Sequence, residues 1–459
     1  MANRLKLLIL ILTSSVAAFA AGTGLEKEQW WRDSKFGMFI HWGVYSCYAG
    51  EYKDSGKRYT EFVMLQARIP LAEYREVAAG FDPREFDADA WVRAAKGAGM
   101  KYLVFTAKHH DGFAMYDSEA SDFNICRVSP FGRDPLGELA AACRANGLKL
   151  GVYYSLGRDW EDPDTPTNWP AKGARSNTWD YPDEDAKDFS RYLERKAVPQ
   201  LKEILGKYDP DIIWFDTPEE ITPAQSANLR GIIEAHNPGI LVNQRIGNGY
   251  GDFLVLEQAQ SDSIIAKPWE SCVTLSRNWG YVKADREFKS PTKIISVLVD
   301  IVSKGGNLLL NAGPTGSGTL RPENLAQLER VGKWMAANGE AIYGTRPWIV
   351  SGESDPGKAR VECGVFDDTE YDATEQSSGD IRFTSRDDKT IYIIARDWKD
   401  PAVVSRVLSA ESHPVASVAA LCDGGDVVWR QDGLGLSIEV PESLRHAEIP
   451  VYAFRVKLR

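Results

Sequence analysis

Side chains able to do chemistry collect in this chain where short apolar runs stop. Three of its six histidines end such runs, in His41-Trp42-Gly43 and Lys108-His109-His110-Asp111-Gly112. Other runs end in Tyr153-Tyr154-Ser155, Trp214-Phe215-Asp216, Asn243-Gln244-Arg245 and Leu256-Glu257-Gln258. Imidazoles, a phenol, an indole, a guanidinium and carboxylates at successive run ends suit acid–base work on a polyhydroxylated ligand. A metal centre is not expected: strand neighbours point to opposite faces, so a strand-borne pair needs i, i+2 spacing, and no His-x-His occurs. Cys47, Cys126, Cys143, Cys272, Cys363 and Cys422 contain no Cys-x-x-Cys pair, which leaves zinc and redox motifs unsupported. They read as mostly buried thiols, with room for one disulfide. No Gly-rich phosphate loop follows any run, so no nucleotide cofactor is expected.

Carboxylate chemistry remains. Retaining glycoside hydrolysis needs two carboxyl groups about 5–5.5 Å apart, one ionised as nucleophile and one protonated as acid, later base. Asp216 suits the nucleophile, because Arg245 and histidine donors nearby would hold it ionised. The acid/base should be a Glu on a later strand or loop. Glu257 sits at a run end, and Glu270, in Pro268-Trp269-Glu270-Ser271, follows a Trp that could exclude water and raise its pKa. Each residue also has a plainer reading. The adjacent histidines could cap a strand, Arg245 could pair with an acidic loop, Asp216 could cap the next helix, and either Glu could be a surface carboxylate.

These residues need a scaffold that gathers strand ends. Apolar runs at 36–44, 101–107, 149–155, 211–216, 240–245, 253–257 and 307–311 are rich in Ile, Val, Phe and Tyr, as strands buried on both faces are. Helix-like stretches lie between or beside them at 87–98, 134–146, 184–205, 223–236, 290–303 and 322–343. Repeated β-then-α units predict a parallel (β/α)8-like TIM barrel, with a doubly wound open sheet as the rival. A parallel barrel carries its reactive groups at the C-terminal strand ends, where these residues fall. Near Trp348 the pattern changes to short alternating runs at 380–384, 390–395, 403–408, 427–430, 436–440 and 451–456, separated by turns such as Asp423-Gly424-Gly425. That predicts a C-terminal antiparallel β-sandwich, with 363–379 as a polar surface loop. The expected organisation is a signal peptide at 1–21, a barrel at 22–348 and a sandwich at 349–459.

Arg4 and Lys6, the apolar stretch from Leu7 and the Ala18-Phe19-Ala20 pattern read as a cleavable secretory signal. Export to the periplasm or the cell exterior is expected, with no membrane span once the signal is removed. The 459 residues carry 54 Lys plus Arg against 65 Asp plus Glu, a formal net charge of −11, which argues against sequence-independent nucleic-acid binding. The 14 Trp suit flat apolar partners such as sugar faces, although Trp also fills cores. Oligomeric state is not legible.

With these residues in view, the chain resembles the α-L-fucosidases of glycoside hydrolase family 29. The resemblance lies in Trp31-Arg32-Asp33-Ser34-Lys35-Phe36-Gly37-Met38-Phe39-Ile40-His41-Trp42-Gly43, in Lys101-Tyr102 through Lys108-His109-His110-Asp111-Gly112-Phe113, and in Gly151-Val152-Tyr153-Tyr154-Ser155, Trp214-Phe215-Asp216, Trp269-Glu270-Ser271-Cys272 and Trp279-Gly280-Tyr281. It spans about residues 25–348 and implies a barrel plus a C-terminal β-sandwich, retention of configuration and no metal. It further implies that Asp216 is the nucleophile and that His41, His109, His110, Tyr154, Trp214 and Arg245 contact fucose. Glu61 is similar to a Glu of a family Glu-Trp segment that touches the sugar, with Phe62 here in place of the Trp. Trp279 would offer an apolar surface to the sugar's C5 methyl. The family places its acid/base in the column of Glu257 or of Glu270, and Glu257 is preferred slightly. The implied partner is a fucosylated oligosaccharide or glycoconjugate. A catalytically dead sugar-binding barrel and a retaining glycosidase for a related sugar such as a galactoside are the competing readings.

Overall fold

The computed structural model describes residues 27–353 and 380–459, apart from positions 397, 399 and 423. The segment read as a signal, Cys363 and the loop expected at 363–379 lie outside the described residues. Eight parallel strands form one sheet: β1 (Phe36–Ile40), β2 (Tyr102–Lys108), β3 (Lys149–Ser155), β4 (Ile212–Asp216), β5 (Leu241–Val242), β6 (Leu254–Glu257), β7 (Trp269–Thr274) and β8 (Asn307–Ala312). Their order, β5-β4-β3-β2-β1-β8-β7-β6, leaves β5 and β6 at the two ends. A parallel bridge between Asn243 and Phe253 joins these ends and closes the barrel. The open-sheet alternative is therefore excluded.

Every residue of β1, β2, β7 and β8 is buried, as expected where helices cover one face and the barrel interior the other. Alternation decides which residue goes where. Phe39, Val104, Tyr153, Trp214, Val255, Cys272 and Leu309 pack together inside the barrel, with Trp31 beneath. Their neighbours, such as Leu103, Tyr154, Phe215 and Leu308, face the helices. The helices begin at sequence-encoded caps. Asp87 accepts from the Ala90 N–H, Asp134 from the Gly137 N–H, and Thr222 and Gln225 form a reciprocal capping box.

Two departures from the sequence reading matter for function. β5 lasts two residues rather than the expected run to 245, and a single 3₁₀ turn, Gln244–Ile246, follows it. β7 was not among the expected strands. Its inward positions carry Glu270 and Cys272, so its apolar residues alternate instead of forming a run.

From Arg346 the chain forms a five-stranded antiparallel sheet and a three-stranded one. Ile391 and Ile393 of one central strand pack into the core between the sheets, while Tyr392 and Ile394 turn to the barrel's hydrophobic core. Strands Arg346–Glu353 and Val415–Ala420 were not anticipated. A buried ion cluster ties this sheet to the barrel helix Pro291–Ser303. Asp300 pairs with Lys304 at 2.7 Å and Arg382 at 2.8 Å, and Arg396 pairs with Asp380 at 2.8 Å. Burial alone would raise the Asp300 pKa, but Arg382, Lys304 and Arg396 outweigh it and hold the carboxyl below its ordinary value. Its stabilisation is therefore present above the unfolded-state carboxylate range and is lost as pH falls through the depressed value. Removing one member of such a cluster leaves uncompensated buried charge, which costs about 3–5 kcal/mol. Asp300→Ala should lower the urea midpoint by a corresponding amount at pH 7, and a loss under about 1 kcal/mol would mean the cluster contributes nothing net.

Candidate active site

Asp216 is the last residue of β4, and its side chain shares the inward face with Trp214. Its Oδ1 accepts from Arg245 Nη1 at 2.7 Å and from the Thr217 N–H at 2.8 Å. Its Oδ2 accepts from the Tyr153 hydroxyl at 2.7 Å, with His110 Nε2 at 3.8 Å. Burial pushes the carboxyl pKa up, but Arg245, the Tyr153 hydroxyl and Arg158 more than reverse this, so it stays ionised below its ordinary range.

Arg245 reaches Asp216 because β5 stops early. The Asn243 side chain accepts from the Phe215 N–H at 2.9 Å and donates to the Phe215 carbonyl at 2.8 Å. It thus continues the ladder while the backbone turns away into the 3₁₀ turn, ending at Gly247 with φ +86°. The other arm of the guanidinium, Nη2, lies 2.5 Å from Glu257 Oε2. Glu257 ends β6, shares the face of inward Val255, and keeps about a third of its side chain exposed (34%). Asp216 and Glu257 are thus separated by no more than one guanidinium and two hydrogen bonds, which admits the spacing of about 5–5.5 Å that a retaining pair requires.

The histidines form the opposite wall. His109 and His110 follow the end of β2, where a register shift and Gly112 (φ +78°) turn the chain. A Cβ on Gly112 would meet Asp159 Oδ1 at 2.1 Å, so only glycine fits there. This turn brings both rings to one side, with centroids 4.1 Å apart. Burial pushes the pKa values of all three histidines down, that of His41 to about 4, so the rings are neutral. Hydrogen-bond accounting then assigns two tautomers. Asn311 Nδ2 donates to the Trp279 carbonyl at 2.8 Å, so its Oδ1 must accept from His41 Nδ1, 2.7 Å away. Ser155 Oγ donates to the Arg158 carbonyl at 2.7 Å and accepts from His110 Nδ1 at 2.6 Å. Both rings therefore carry the Nε2 lone pair, ready to accept from a hydroxyl. His109 Nδ1 is buried without a hydrogen-bond partner.

Aromatic rings complete the pocket. Trp279 lies 5.0 Å from the His41 ring and Phe62 lies 5.1 Å from the His110 ring. Glu61, buried beside them, accepts from the Gly280 N–H at 3.1 Å and so anchors the loop carrying Trp279.

Three expected site residues are placed differently. Tyr154 faces outward, and its hydroxyl donates to Gln200 at 2.8 Å; Tyr153 is the tyrosine at Asp216. Glu270, the second residue of β7, is fully buried in the barrel interior below the rim, taking hydrogen bonds from Tyr102 and from Trp214 Nε1. Burial pushes its pKa up to about 7, and both of its oxygens are taken by hydrogen bonds inside the barrel. Trp214 spends its N–H on Glu270 and lies as a floor under Arg245, 5.1 Å from ring to guanidinium, rather than offering a donor to sugar. Sequence reasoning missed Tyr153, Arg158, Asn243 and Asn311. Tyr153 was recoverable, since it pairs in register with inward Trp214; Arg158, held by Glu219 at 2.8 Å, left no signal. Among the described residues no group of three His, Cys, Asp or Glu side chains is placed to hold a metal.

A parallel barrel with two arginine-bridged carboxylates, neutral histidines and aromatic walls at its C-terminal mouth suits a glycoside hydrolase. The sequence profile described as alpha-L-fucosidase matches residues 21–340. Tissue alpha-L-fucosidase of Mus musculus is 30% identical over 94% of this chain and 91% of its own length. The Homo sapiens tissue enzyme is 29% identical, over 94% and 88%. Alpha-L-fucosidase isoenzyme 1 from Paenibacillus thiaminolyticus superposes with a TM-score of 0.80 at 32% identity, covering 95% of this chain and all of that one. AlfC from Lactobacillus casei, solved in complex with its α-L-fucose product, is 36% identical over 68% of this chain and 98% of its own, with a TM-score of 0.64. The chain belongs to the α-L-fucosidase family, glycoside hydrolase family 29.

The inward placement of Tyr153 and outward placement of Tyr154 separate their roles. Tyr153→Phe removes a hydrogen bond to a charged group, about 1.5–3 kcal/mol. It should lower kcat/KM on an aryl fucoside by roughly ten- to a hundredfold and move the acid limb of the pH profile upward, because Asp216 would then protonate at higher pH. Tyr154→Phe should leave that limb in place. The reverse ranking would contradict the geometry.

Proposed function

We propose that this α-L-fucosidase is a retaining exo-enzyme that removes terminal α-linked L-fucose from oligosaccharides or glycoconjugates by double displacement. The observation that carries the reading is the single Arg245 guanidinium bridging Asp216 and Glu257 at the barrel mouth, while Glu270 lies sealed below. In the first step an Asp216 oxygen attacks the anomeric carbon. The glycosidic C–O bond breaks and the Glu257 proton passes to the leaving oxygen. In the second step Glu257 takes a proton from water, whose oxygen attacks the same carbon and breaks the ester to Asp216.

An incoming glycosidic oxygen competes with Arg245 Nη2 for Glu257 Oε2. His41 and His110 accept from sugar hydroxyls through Nε2, His109 offers its unpartnered Nδ1, and Trp279 and Phe62 pack the apolar face bearing the C5 methyl. Tyr153, Arg245 and Arg158 keep the nucleophile ionised. The apolar leader ending in Ala18-Phe19-Ala20 supports export, and among the described residues no helix is long and apolar enough to cross a membrane. The expectation of mostly buried thiols does not hold among the described cysteines: Cys143 and Cys272 are buried, Cys126 is half-buried, and Cys47 and Cys422 are exposed.

Azide rescue separates the roles. Asp216→Ala should lose several kcal/mol of transition-state stabilisation, roughly a thousandfold or more in kcat, and azide should restore turnover to the β-fucosyl azide. Glu257→Ala should be rescued to the α-fucosyl azide and should lose least on aryl fucosides, whose leaving groups need no proton. If Glu270→Ala gave the α-azide and Glu257→Ala did not, the acid/base assignment would be overturned.

A further inference from the structure

We propose a second ligand site at the opposite, N-terminal mouth of the barrel, where Arg32, Lys35 and Arg346 surround a cavity suited to a phosphate monoester. The cavity measures about 300 Å³, the lower end of the range for small-molecule sites. Its position follows from the chain. Lys35 immediately precedes β1, Gly305 leads into β8, Ile265 lies in the connection to β7, and Arg346-Pro347-Trp348 opens the first strand of the C-terminal sheet. All of these sit at the foot of the strands whose heads carry the active site.

Lys35 is the observation that points to a ligand. It is 1% exposed and lines the cavity, yet its amine makes neither a hydrogen bond nor an ion pair with any described residue. An ammonium buried without a counter-ion is costly and is seldom kept without one. Asp33, the carboxylate that acts on it, is already engaged: Arg346 Nη1 donates to one oxygen at 2.8 Å and Gln29 Nε2 to the other at 2.8 Å. Arg32 keeps one nitrogen on the Ala266 carbonyl at 3.1 Å and has others to offer. Asp33 and Glu28 both act on this set, so three cations stand against two carboxylates; a phosphate monoester, which can carry a second negative charge and exchange a proton with the Lys35 amine, fits it better than a sulfate monoester, which cannot. The remaining wall, with Ile265, Pro347 and Trp348, is apolar and takes an organic body rather than a second charge. Burial pushes the Lys35 pKa down to about 7, with Arg346 and Arg32 acting in the same direction and Asp33 against them, so a bound dianion would draw a proton onto the amine.

The test uses the full chain with phenyl phosphate, phenyl sulfate and inorganic phosphate as probes, each against chloride at equal ionic strength. Calorimetric titration should show saturable binding of phenyl phosphate, at least tenfold tighter than phenyl sulfate and inorganic phosphate. Lys35→Met should weaken phenyl phosphate at least tenfold without lowering Tm in chloride, because it deletes an unpartnered buried amine. If Lys35→Met does not fold, Arg32→Gln at the rim carries the test. It should weaken phenyl phosphate at least threefold while kcat/KM on an aryl fucoside stays at the wild-type value. Binding no stronger than that of chloride, equal binding of phenyl sulfate, or phenyl phosphate affinity unchanged in the variants would overturn the proposal.

Discussion

One guanidinium held between two carboxylates organises the mouth of this barrel. Arg245 reaches Asp216 with one nitrogen and Glu257 with the other, so strands β4 and β6, which are not neighbours in the sheet, are joined by charge where β5 has ended. The contact requires β5 to be short, and Asn243 makes that shortness tolerable by taking over the Phe215 hydrogen bonds with its side chain. A longer β5 would carry Arg245 along the barrel wall instead of across its mouth. The same contact is the largest of the influences, with the Tyr153 hydroxyl and Arg158, that outweigh burial and hold the Asp216 carboxyl below its ordinary range.

Beneath this bridge the interior is closely packed and hydrogen-bonded. Tyr153 stacks on Trp214, whose N–H is fixed by Glu270; Trp214 lies under Arg245, and the Tyr153 hydroxyl donates to Asp216. On the facing wall the histidines are kept neutral by burial, and backbone carbonyls fix two of their tautomers through Asn311 and Ser155. Preorganised dipoles of this kind stabilise developing charge without reorganisation at the moment of bond cleavage. A third layer of buried ion pairs, with Lys108 and Lys196 both on Asp159, braces the loops behind the histidines.

The barrel and much of its mouth were legible in the sequence because fully buried strands leave continuous apolar runs, and because a parallel barrel places its chemistry where those runs end. Asp216, Glu257, His41, His109, His110 and Arg245 all emerged from that one rule. What stayed hidden depends on which face a residue occupies. Tyr153 and Tyr154 are equivalent as letters, and only their register against Trp214 and Phe215 distinguishes them. Glu270 read as a site residue because β7, with polar inward positions, does not look like a strand; once it is one, its second residue must lie deep. Strands Arg346–Glu353 and Val415–Ala420 were missed for a related reason, the first holding Pro347 and the second a run of Ala and Ser with little apolar contrast.

The most direct test of this account is peptide mass spectrometry after inactivation with a fluorinated fucosyl donor that forms the ester quickly and hydrolyses it slowly. The account predicts one fucosyl adduct, on the peptide containing Trp214-Phe215-Asp216, located at Asp216. An adduct on any other carboxylate, or none in an enzyme that turns over aryl fucosides, would contradict it.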